Sequence, residues 1–135
     1  MVDADCWRRE MEKEIKSFED LEVWKVCREI KKKIFELIKD FPVEEKYSLI
    51  TQMRRAAISV TANIAEGYGR FHYRENIQFC RQARGSLYEL LDHLITSLDE
   101  GYISTKEMGE LKKLINSAIK LLNGYIRMLQ KRKNN

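Results

Sequence analysis

The chain has 135 residues, one proline, six glycines, 34% charged residues and a net charge of +4. That length suits a single hydrophobic core, and few helix breakers among abundant Leu, Ile, Glu, Lys and Arg argue against a sheet-rich class and predict an all-α domain. Three cysteines without a CxxC pair, no signal-peptide order near the N-terminus and no uninterrupted apolar stretch exclude a disulfide framework and a membrane span, so a soluble, cytoplasmic protein is expected.

Residues 1–16 read as an acidic leader, loose or partly helical, with Trp7 available to dock. The first 20 residues carry seven acids against four Lys/Arg, a net −3, which leaves +7 for the remainder. Ser17, three residues ahead of Asp20, is a helix-start signal. Val23, Cys27, Ile30, Ile34, Leu37 and Phe41 then step by four and three, which marks the seam of a first bundle helix. Its lysines read first as a solvated face. Pro42 ends this helix, because the residue before a proline is driven from the α region.

The second helix is expected from about Tyr47 or Ser48. Its stretch Gln52 to Arg70, QMRRAAISVTANIAEGYGR, puts Met53, Ala57, Val60, Ile64 and Gly67 on one core face. Gln52, Arg55, Ser59, Asn63, Glu66 and Arg70 form a second, polar stripe, with Ile58, Ala62 and Ala65 apolar between the two. A helix apolar on more than one side is expected to be buried on more than one side, which makes this the central helix and its polar stripe an internal network. Gly67 and Gly69 are expected to stop it through left-handed conformations.

The runs FEDLEVW (Phe18 to Trp24), FPVEEKY (Phe41 to Tyr47), QMRRAAISVTANIAEGYGR and ARGSLYEL (Ala83 to Leu90) resemble, in this order, the bacterial four-helix-bundle family encoded by intervening sequences of large-subunit (23S) ribosomal RNA genes. The resemblance runs from about Ser17 to Tyr125. It implies an up-and-down antiparallel four-helix bundle and ring-shaped homopentamers; from the residues themselves the bundle is expected over 17–130, with a basic tail at 131–135. It also implies a distant relation to the accessory protein of diversity-generating retroelements. Many members have a proline where this chain has Thr61, so a weaker kink is expected here.

After the aromatic connector Tyr68, Phe71 and Tyr73, the third helix has Ile77, Cys80, Leu87, Leu91, Leu94 and Leu98 as its seam. A hairpin folded about Phe71 would set Gly85 against Ala56 and Ala57, which would account for a glycine inside a helix. It would also bring Glu89 to Arg54 or Arg55 and Gln78 to Asn63, giving a buried polar network of Arg55, Ser59, Asn63, Glu66 and Glu89. Gly101 ends this helix, and Ser104 with Glu107 forms a capping box for the fourth. Its seam is Met108, Leu111, Ile115, Ala118, Leu122, Tyr125 and Leu129. Short connectors make neighbouring helices antiparallel.

Catalytic and metal chemistry finds little support. A di-iron bundle needs Glu-x-x-His motifs, and neither His72 nor His93 has glutamate three residues earlier. Scattered cysteines do not suit zinc, and no P-loop or nucleophile elbow is present. No arginine stands at the spacing before histidine that small helical RNases use. Glu66 reads as the partner of Arg70 at i+4 rather than as a general base. TANIAEG does not break as a helix-turn-helix would. No cofactor, no metal and no enzymatic activity are expected.

Between Arg54 and Arg84 there are six arginines, no lysine and two acids. This balance makes Arg54, Arg70, Arg74, Arg81, Arg84, Lys131, Arg132 and Lys133 the candidate nucleic-acid contacts, with RNA the favoured partner. A nucleic-acid-processing protein is a further candidate partner, and an oligomeric protein scaffold without nucleic acid is the alternative function. Ile58, Ala62, Ala65, Tyr68, Phe71 and Tyr73 are left as apolar surface beyond the bundle seam, which predicts a homo-oligomer, pentamer favoured, with helix two and the connector at the contact. The competing arrangement has the leader folding back over this surface through Trp7, leaving a monomer.

Overall fold

The computed structural model describes residues 14–134. Four α-helices lie among them: α1, Glu22–Leu37; α2, Leu49–Tyr68; α3, Tyr73–Asp99; and α4, Thr105–Lys133. Each packs on its neighbours in the chain, and α1 closes against α4. The result is the up-and-down antiparallel four-helix bundle, with no strand among the described residues. In this square arrangement α2 is one side, not a central helix. Its second apolar flank therefore faces outward, with Ile58 and Ala62 exposed. The readings of residues 1–13, Trp7 included, fall outside the described residues.

Periodicity translates directly into the core. Val23, Cys27, Ile30 and Ile34 of α1, Met53, Ala57, Val60 and Ile64 of α2, Cys80, Leu87 and Leu94 of α3, and Ile115, Ala118 and Leu122 of α4 are all buried. Each of the valine, leucine, isoleucine and methionine side chains contributes about 1.5–3 kcal/mol relative to exposure. No buried side-chain nitrogen or oxygen among the described residues lacks a hydrogen-bond partner.

The helix ends differ in detail from the sequence reading. Ser17 and Asp20 do form a capping box, but around the 3-10 turn Phe18–Asp20, and α1 begins beyond it at Glu22. The α-helical part of α1 stops at Leu37 and tightens into a 3-10 turn before buried Phe41. Ser104 caps α4 as expected, accepting from the Glu107 amide at 3.0 Å while the Glu107 carboxylate accepts from the Ser104 amide at 2.9 Å. The basic tail is the last turn of α4, where Lys131, Arg132 and Lys133 complement the negative end of the helix dipole.

Gly67 and Gly69 are not left-handed stops. Gly69 has φ −74°, and among the described residues only Gly101 has positive φ, at 75°. Gly67 lies inside α2 because α3 comes too close for a side chain. A Cβ there would stand 2.7 Å from Asn76 Oδ1 and 2.9 Å from Phe79 Cβ. The close approach assigned to Gly85 thus belongs to Gly67. Gly85 is exposed, with nothing within 4 Å of a Cβ built on it, while Ala56 and Ala57 are buried elsewhere in the core. The reason is rotation of α3: Ser86, not Gly85, faces α2, and its hydroxyl donates to Ser59 Oγ at 3.0 Å.

α2 runs unbroken through Thr61. The Thr61 hydroxyl donates to the Ile58 carbonyl at 3.3 Å, and Lys31 Nζ of α1 donates to it at 3.3 Å. At one end of the bundle Tyr102 ties the last connector to the first. Its hydroxyl donates to Glu45 Oε2 at 3.1 Å, and its ring lies 5.3 Å from that of Phe41. Its pKa is raised, by desolvation first and then by the Glu45 carboxylate.

Candidate functional site

The polar stripe of α2 is a surface feature. Arg55 Nη2 donates to Glu89 Oε2 at 2.8 Å, and the same oxygen lies 3.0 Å from His93 Nε2. The Arg55–Glu89 juxtaposition is therefore present, but Arg55 is exposed, and Glu66 is exposed where it pairs with Arg70 at 3.0 Å. Ser59 and Asn63 are half-buried. Asn63 Nδ2 donates to the Ser59 carbonyl and hydroxyl, both at 2.9 Å, rather than meeting Gln78, which is exposed. The expected buried network becomes a half-buried Ser59–Asn63–Ser86 cluster with ion pairs at its edge. Long Arg and Glu side chains keep their charged heads in water at little cost, whereas short hydroxyls and amides stay between the helices.

The candidate nucleic-acid residues divide in the same way. Arg54 stacks over Phe35 of α1, its guanidinium carbon 4.3 Å from the ring centroid. Arg84 Nη1 donates to Asn123 Oδ1 of α4 at 2.7 Å. These two side chains clasp neighbouring helices. Arg70 is engaged by Glu66, lies 3.8 Å from Glu75 and covers Phe79 at 4.9 Å. Lys131 also has a partner. By contrast Arg74, Arg81, Arg132 and Lys133 are exposed and make no ion pair or hydrogen bond among the described residues. Of these, Arg81 stands apart on α3.

Arg74, Arg132 and Lys133 come together where the α2–α3 connector meets the end of α4. They line one open groove with His72, Tyr73 and Glu75. Arg132, His72 and Tyr73 also line the adjoining pocket of about 330 Å³, which Tyr68, Arg70 and Phe71 help to wall. Asn76 and Tyr125 are buried lining residues of that pocket, and Asn76 Nδ2 donates to Tyr125 Oη at 3.2 Å. Asn76 Oδ1 in turn accepts from Cys80 Sγ at 3.5 Å, so a fixed polar chain leads from the pocket into the core. Phe71 is 93% exposed, its ring edge-on to His72 at 4.9 Å. The sequence reading assigns Phe71 and Tyr73 to an oligomer surface and Tyr125 to the α4 seam, where it is buried, and does not single out Asn76. A polar residue at position 76 just ahead of the α3 seam was the available signal.

The far end of the bundle has the opposite character. There Glu36 and Asp40 of the first helical segment and Glu107 and Glu110 of α4 line a second pocket with Lys33. Carboxylates thus predominate in this pocket, as cations do in the groove at the other end.

Cys27 and Cys80 are buried, and desolvation pushes both thiols up to about 12, with the neighbouring Cys80 adding to the effect at Cys27. They are core residues rather than nucleophiles. Among the described residues no three His, Cys, Asp or Glu side chains converge, and no helix is long and apolar enough to cross a membrane.

A family model described as 23S rRNA-intervening sequence protein matches residues 19–124. No curated protein matches the chain.

Proposed function

Since the chain belongs to the 23S rRNA-intervening sequence protein family, we infer that it is a non-enzymatic, oligomeric bundle protein that associates with RNA through its basic end. The observation that supports this reading is the gathering of Arg74, Arg132 and Lys133 around an aromatic pocket, each cation without a partner among the described residues. Internal ion pairing accounts for Arg55 and Arg70 and helix clasping for Arg54 and Arg84. Neither accounts for these three. The acidic far end orients an approaching polyanion toward the basic one. Titrating nuclease-treated protein with RNA at rising salt tests this reading. Affinity that falls steeply with salt is expected. Binding to no RNA at low salt would refute it.

Assembly has its own support. On α2, Ile58 and Ala62 continue the line of Arg54, which leans on α1. On α3, Tyr88 and Ile95 continue the line of Arg84, which reaches α4. Ile58, Tyr88 and Ile95 are exposed at 47%, 55% and 43%. Two different apolar lines on separate flanks suit head-to-tail contacts, which close into rings. The pentamer itself comes from the family resemblance. These same lines favour the second reading, a protein scaffold without nucleic acid, which the RNA titration separates from the first.

A further inference from the structure

We propose that the basic end takes single-stranded RNA specifically, with an unstacked base on Phe71 and its flanking phosphates on Arg74, Arg132 and Lys133. This rests on the RNA reading and specifies which form of RNA the end fits. An aromatic ring 93% exposed on a short connector gains almost nothing from folding, so its position calls for a ligand surface. Arg132 lines the same pocket as Phe71, Arg74 and Lys133 line the adjoining groove, and none of the three has an ion-pair or hydrogen-bond partner among the described residues. A flat apolar face bordered by cations matches one ligand chemistry closely: a base with a π-face attached to a phosphate chain.

The geometry discriminates between forms of RNA. In a duplex the base faces are stacked and hidden, so Phe71 could contribute nothing and only charge would act. In a single strand a base can turn out and lie on the ring. The adjoining pocket of about 330 Å³ gives that base or its neighbour a recess, with the polar groups of Asn76 and Tyr125 among its lining. A protein partner would have to match Arg74, Arg132 and Lys133 with carboxylates and would leave the face of Phe71 without the base that suits it.

The test compares a labelled oligouridine of roughly ten nucleotides with an RNA hairpin of equal charge, using full-length, nuclease-treated protein and its Phe71→Ala variant. Phe71 is almost fully exposed and lies outside the packed core, and matched melting curves and light scattering check that fold and assembly are retained. Tighter binding of the single strand is expected, with Phe71→Ala weakening it by roughly five- to a hundred-fold and leaving the hairpin nearly unchanged. Equal affinity of parent and variant for the oligouridine would overturn the stacking proposal while leaving salt-dependent RNA binding in place. Equal losses on single strand and hairpin would overturn it too. If the parent binds neither RNA, the underlying RNA reading falls with it. If Phe71→Ala shifts the assembled mass but not the affinity, Phe71 belongs to a contact between copies and the proposal is wrong.

Discussion

One methyl group added at Gly67 and at Gly85 should move stability in opposite directions. At Gly67 the new carbon meets Asn76 Oδ1 at 2.7 Å and Phe79 Cβ at 2.9 Å, so α2 and α3 must separate or Asn76 must leave Tyr125. Gly67→Ala is expected to cost about 1–3 kcal/mol, read from chemical denaturation. At Gly85 the methyl meets nothing, and Gly85→Ala should stabilise by up to about 1 kcal/mol through helix propensity and a less flexible unfolded chain. The thiols give a further residue-scale outcome. With both pKa values pushed up to about 12, Cys27 and Cys80 should resist a thiol reagent in native protein and react on unfolding. Rapid native labelling at either position would contradict their burial. Linkage sets the pH sense. The folded state holds these protons more tightly, so their contribution to stability is complete below the ordinary value of 9.0 and is lost as pH rises toward about 12. Alkaline melting curves should show that decline.

Helices are where the sequence was most legible. Seams at steps of three and four located most of the core of all four, because burial on one face leaves a periodic trace in every turn, but Leu37, Leu91 and Leu98 are half-buried and Ala83 and Leu90 are buried instead on α3. The Ser104–Glu107 box was readable for the same reason: its bonds are local. Ser104→Ala should therefore cost about 1 kcal/mol, measurable as a lower denaturant midpoint. What the sequence concealed was rotation and charge placement. Gly85 and Ser86 are adjacent, and only the orientation of α3 decides which of them meets α2. The Arg55–Glu89 pair was legible from hairpin register, yet its exposure was not, since a long side chain can reach a partner from outside the core. The basic end was hidden further still. Arg74 and Arg132 are far apart in sequence, and their convergence depends on the last turn of α4 reaching the α2–α3 connector.

In the bundle as a whole, carboxylates of the first helical segment and α4 line a pocket at one end, and at the other lie an exposed aromatic and cations without a partner among the described residues. The exposed lines through Ile58 and through Tyr88 and Ile95 are the surfaces that the proposed assembly would use. Light scattering at micromolar concentration should give a mass several times the 16.1 kDa chain, and Ile58→Asp should lower it. A monomeric mass for the parent would reject assembly, and a clean dimer would reject the ring. The most direct test of the central claim is the salt dependence of RNA affinity in the parent and in an Arg74→Gln/Arg132→Gln/Lys133→Gln variant. If the basic end holds the phosphates, the slope of log affinity against log salt on single-stranded RNA should become shallower by about 2, roughly 0.7 for each cation removed. An unchanged slope, with affinity intact, would place RNA elsewhere on the protein.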